Sequence, residues 1–132
     1  MSVDATFSLE IPATASHVGT ARSFTSALLR QLAAPDEIVQ DAKLAVSEAC
    51  SDAVVALQGR GSVRLRATAL DGRLILEIDA PGGLRHSGLD PSAPGLSGPG
   101  RLELVRSLFA DADLAGGPGG SVPRLRFSIA LD

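Results

Sequence analysis

The sequence predicts an α/β two-layer sandwich: one mixed β-sheet with helices packed on one face, in a single domain spanning residues 1–132. Three observations predict it. The chain opens on a stretch of period-two alternation, and two stretches of helical period follow it. Alternation then returns twice, first folded back on itself by Asp71-Gly72 and later at the C-terminus.

In residues 5–11, Phe7, Leu9 and Ile11 share one face and Thr6, Ser8 and Glu10 the other, which reads as a half-buried strand stopped by Pro12. From about Ser16 the period becomes helical, with Val18, Ala21, Phe24, Leu28 and Leu32 on one stripe, Thr14 or Ser16 as cap, and Pro35 as breaker. Asp36 is a good N-cap for a second helix, on which Ile38, Ala42, Ala45, Ala49, Ala53 and Leu57 form the stripe, ended by Gly59 and Gly61. Val63, Leu65 and Ala67, then Leu74, Leu76 and Ile78, form the two arms of a hairpin. Residues 81–100 hold six Gly and four Pro, too many for helix or strand, so a long loop is expected there. A short helix from about Leu102 to Phe109 follows, and then a glycine-rich turn at 116–120. The last strand places Leu125, Phe127, Ile129 and Leu131 on one face. The opposite sheet face, with Arg64, Arg66, Arg124 and Arg126, is expected to be solvated.

Composition narrows the function classes. A formal charge of -3 and four Phe with no Trp or Tyr leave neither a basic footprint nor a stacking platform for nucleic acid. No apolar run approaches the roughly 20 residues that span a bilayer, and the opening residues carry no secretory pattern. Cys50 is the single cysteine, which fits a reducing compartment, so a soluble cytoplasmic domain is the expectation. His17 and His86 stand far from other soft ligands, and Cys50 reads as a small buried residue.

Three places carry candidate chemistry. Glu48 and Asp52 lie four residues apart on the second helix, one turn above the other, with no Lys or Arg a turn away. At the mouth of a pocket one such acid can hold Mg²⁺ through oxygen while the other polarises a hydroxyl; elsewhere they are two ordinary solvated acids. Asp79 ends a strand just before Ala80-Pro81-Gly82-Gly83, where a carboxylate can accept a hydrogen bond from an exocyclic amine; the plain alternative is a glycine turn. Gly98-Pro99-Gly100 precedes a helix whose free N–H groups suit phosphate.

In this order the three places resemble the N, G1 and G2 boxes of the histidine-kinase-like ATPases, the superfamily of gyrase, Hsp90 and MutL. Within it, Leu44-Ala45-Val46-Ser47-Glu48-Ala49-Cys50-Ser51-Asp52-Ala53 is similar to the pattern Leu-Ala-Val-x-Glu-Ala-x-x-Asn-Ala of the anti-sigma-factor serine/threonine kinases. Ala21-Arg22-x-Phe24 resembles their first-helix signature, and Gly119-Gly120-Ser121 stands where they carry Gly-Gly-Thr. The resemblance implies ATP and Mg²⁺ as cofactors. It makes Glu48 the catalytic residue acting on a serine hydroxyl and Asp52 the Mg²⁺ ligand. Asp79 would be the adenine acceptor, with Gly83, Gly98, Gly100 and Ser121 also about the nucleotide. It implies a sigma factor and a STAS-domain anti-sigma antagonist as partners, Arg22 in partner binding, a homodimer pairing near the first helix, and a role in bacterial stress transcription.

The sequence departs from that pattern. Asp52 replaces Asn, Ala56 stands where many relatives carry His, Pro81 replaces the first glycine of the G1 box, and Arg101 falls where a second G2 glycine is expected. Two readings follow: an ATP-dependent kinase of an antagonist serine, or a nucleotide-independent protein-binding module on the same fold.

Overall fold

The first alternating stretch forms strand β1 (Ala5–Pro12), and the computed structural model describes residues 5–57, 60–79, 99–115 and 124–131. After a short 3₁₀ turn at Ala15–His17, helix α1 runs Val18–Gln31 and helix α2 runs Asp36–Leu57. The first helix stops ahead of Pro35. Ala33 takes a left-handed φ of 62°, its N–H bonds to the Arg30 carbonyl, and Ala34 bonds back to Leu29, the double closure of a Schellman motif. Asp36 is the first residue of α2 rather than its cap, and with Glu37 it places two acids at the positive end of the helix dipole.

Strands β2 (Ser62–Leu70) and β3 (Arg73–Asp79) make the expected hairpin. Both turn residues, Asp71 and Gly72, have positive φ (53° and 74°), as a two-residue turn matched to strand twist requires. Helix α3 runs Pro99–Leu108, strand β4 is Asp113–Ala115 and strand β5 is Arg124–Ala130. The third helix starts at Pro99, not Leu102, because proline suits the first helical position, where its missing N–H costs nothing. Strand β4 has too few residues to show a period, and the sequence reading passes over it.

The five strands lie in the order β1-β2-β3-β5-β4 with the helices on one face, an α+β sandwich as expected. The sheet itself is not mixed: every described pairing is antiparallel. Two helices between β1 and β2 return the chain to the end it left, so Pro12 lies opposite Ser62 and the strands must oppose. Alternation then sorts the side chains. Val63, Leu65, Leu74, Leu76, Phe127 and Ile129 are buried against Leu29, Val39, Val46 and Cys50 of the helices. Phe109, just past α3, stacks on Phe127 with ring centroids 4.6 Å apart. No helix among the described residues is long and apolar enough to cross a membrane.

Candidate functional site

Helix α2 meets α1, α3, β2 and β3, so its residues divide by angle around the axis. At about 100° per residue, Leu44 and Val55 fall within about 20° of each other, and Glu48 lies about 40° from Leu44. Leu44 and Val55 are 42% and 54% exposed, and Glu48 is half-buried between them on that outward ridge. Asp52 lies about 40° further round toward the stripe of Ala45 and Ala49, and it is only 6% exposed. The two acids therefore sit one turn apart in unlike surroundings, Glu48 at the surface and Asp52 inside.

Asp79 does not join them. In β3 the buried residues are Leu74, Leu76 and Ile78, so Asp79 belongs with Arg73, Ile75 and Glu77 on the face that carries no helices. There it stands directly opposite Arg64 of β2. The guanidinium donates from Nε to Oδ1 and from Nη2 to Oδ2, both at 3.3 Å, a two-pronged pair with both side chains partly covered. The sheet stands between this carboxylate and the acids of α2. The expectation of a merely solvated arginine face is corrected too. Arg64 is engaged, and across the strands Arg66, Glu77 and Arg126 alternate in sign, as cross-strand pairing favours. Arg64 was missed by sequence reasoning, although the hairpin register set by Asp71-Gly72 already places it opposite Asp79.

Gly100 falls in the first turn of α3. Gly83, Gly98 and Ser121 lie outside the described residues, as does Pro81 among the departures, and the side chains of Ala56 and Arg101 are likewise not described.

A second feature lies on α1. Thr20, Arg22, Ser23 and Arg30 of α1, with Ser16 of the preceding 3₁₀ turn and Lys43 from α2, line an open groove of about 880 Å³. Its lining includes three cations and no acid. Arg22 reaches across to donate to the Ser47 hydroxyl at 3.4 Å, which holds its guanidinium over α2. Arg30 donates to Ser26 at 3.3 Å and pairs with Asp36 at 3.4 Å, both partners well exposed. At Gly19 an added Cβ would meet Arg22 Nη2 at 3.6 Å, an ordinary contact that places the guanidinium over this turn of α1. Sequence reasoning singled out Arg22 alone; Arg30 and Lys43 join it only because α1 and α2 pack side by side.

The architecture is an α+β sandwich with a helix pair inserted between its first two strands. The model of the histidine kinase-like ATPase domain matches residues 11–127, and the chain belongs to that family. A comparison with curated proteins gives no match.

The family implies ATP and Mg²⁺, and the described residues do not fit them as the sequence suggests. An adenine acceptor and a metal ligand must face one cavity, whereas Asp79 and Asp52 stand on opposite faces of the sheet. Among the described residues, no three His, Cys, Asp or Glu side chains gather to hold a metal ion.

Proposed function

We propose that this domain is a transcription regulator of the anti-sigma type that acts by holding a protein partner, an alternative sigma factor or a STAS-domain antagonist, along α1 and α2. One observation carries this reading: a groove whose described lining holds Arg22, Lys43 and Arg30, the last of them paired with Asp36, and no acid, in a chain whose overall charge is -3. Such a local inversion of sign selects a partner with an acidic face and speeds its approach. The exposed Leu44 and Val55 extend the same helix pair with apolar contact area. The resemblance of Leu44–Ala53 and of Ala21-Arg22-x-Phe24 to the anti-sigma kinases supplies the identity of the partners, and a homodimer goes with it. The kinase form of this reading, in which Glu48 acts on an antagonist serine, draws support from the outward placement of Glu48 one turn from Asp52. The position of Asp79 weighs against it.

The test is calorimetric titration of the purified domain with sigma factors and STAS proteins of the same organism. The expected result is micromolar or tighter binding to one of them, weakened at least about tenfold by Arg22→Glu with Lys43→Glu and weakened by salt. Binding untouched by both reversals removes the groove from the interface, and a wild-type domain that binds none of these proteins sinks the reading.

A further inference from the structure

We infer that the carboxylate ending β3 is a structural clamp for the sheet and not a ligand acceptor, and that the domain engages its partner without adenine nucleotide. The inference deepens the proposed function, resting on that reading only for the existence of a partner; the clamp itself rests on geometry alone. Side chains on a strand alternate strictly, so the face of Asp79 is fixed by its neighbours. Leu74 and Leu76 are completely buried and Ile78 nearly so, all on the helix side. Bringing Asp79 to that side means either breaking the terminal Arg64–Asp79 pair by a local twist of the strand end or slipping β3 by one residue, and a slip moves every side chain of the strand to the other face. Three aliphatic side chains would then meet water, while Arg73 and Glu77 would enter the core. One hydrogen bond to an adenine amine does not offset that exchange.

The partner of Asp79 is equally fixed. Arg64 sits between Val63 and Leu65, which are 1% and 2% exposed, so its own face is set by two core residues. Opposed directly in the β2–β3 register, the pair forms a two-point contact that closes the end of the hairpin. Turning Asp79 toward a nucleotide would strand a half-buried guanidinium as well. Neither Glu48 nor Asp52 takes over the acceptor's place: the first lies on the outward ridge and the second inside α2's packed side.

The experiment uses the intact chain. ATP, with and without Mg²⁺, is titrated into wild type, Asp79→Asn and Asp52→Asn, and thermal unfolding is followed at about 1 mM ATP, where a ligand of the native state raises the midpoint. No saturable heat and no midpoint shift are expected for any of the three. Partner affinity should be the same within twofold with and without ATP. Saturable ATP binding by the wild type overturns the inference, and its loss in Asp79→Asn would assign the site to that carboxylate. The clamp has its own readout: Asp79→Asn and Arg64→Lys should each lower the unfolding midpoint, with the double variant falling by less than the two added. Strict additivity refutes the clamp. A domain that binds no sigma factor or STAS protein ends the proposed function while leaving the ATP result to decide this inference separately.

Discussion

The two faces of one sheet are built from the same strands and differ by a single residue in parity. On the helix side the described side chains are Val, Leu, Ile, Phe and Ala, and all but Ala5, Phe7 and Leu9 at the β1 edge are buried. On the other side Glu10, Arg64 and Asp79 stand in one cross-strand row, and Ser8, Arg66, Glu77 and Arg126 in the next. The helix face holds by exclusion of water, the open face by paired charge. The comparison teaches that a motif residue must be assigned a face before it is assigned a chemistry.

The largest effect should come from the helix face. Phe127 is 1% exposed and carries the stack with Phe109, so Phe127→Ala should destabilise the domain by about 3–5 kcal/mol, measured by urea unfolding. A loss below about 1 kcal/mol would mean that this face is not the core.

A smaller effect distinguishes the faces by pH. Burial against the helix side pushes the Cys50 thiol up from 9.0 to about 12. The folded state therefore favours the neutral thiol, and its stabilisation is complete below the unfolded value and drains away as pH rises above it. Between about pH 9 and pH 12 the domain should lose on the order of 1 kcal/mol per pH unit. Chemical unfolding at about pH 8 and about pH 10 checks this, with Cys50→Ala as the variant that flattens the slope. An equal slope in that variant would assign the alkaline loss to other groups.

The smallest effect lies at the far edge of the open face. Burial raises the Asp111 carboxyl, but hydrogen bonds from the Ser128 hydroxyl and N–H and the charge of Arg73 outweigh it, and the net direction is below 3.8. A carboxyl lowered by folding adds stability that is present above the unfolded value and lost as pH falls through the folded one. For so exposed a group, Asp111→Asn should cost only a few tenths of a kcal/mol at neutral pH and nothing in strong acid. Thermal scans at the two pH values would show the difference vanish, and a difference that persists in acid would point to packing instead.

Much of this was legible beforehand. Both long helices, the Asp71-Gly72 hairpin and the final strand follow from period and turn chemistry, since each is long or has a diagnostic dipeptide. The N-terminal end of α3 was read too late because a proline beside two glycines resembles a loop until a helix is seen to begin on it. Asp79 was legible in part. The Asp-x-x-Gly-Gly spacing pointed to a ligand, while the alternation of Leu74, Leu76 and Ile78 in the same segment pointed Asp79 the other way. Where a motif and a period disagree, the period wins, because it carries three buried side chains against one. The burial of Asp52 was legible in part, since its helical angle brings it toward the stripe of Ala45 and Ala49, but the sequence does not say how far that side of α2 is covered.

The place of the helix pair between β1 and β2 also governs how the sheet can assemble. The β2–β3 hairpin closes over two residues, but the bond from Ser62 to Glu10 that ties β1 in place joins groups 52 positions apart in the chain. Closure entropy grows with the logarithm of that separation, and contacts at long range set the slow step of folding. Unless α1 and α2 are already docked, nothing holds the ends of that span together. Docking β1 is thus one of two long closures in the sheet, the other being β3 with β5, whose partners Arg73 and Ala130 also stand far apart in the chain.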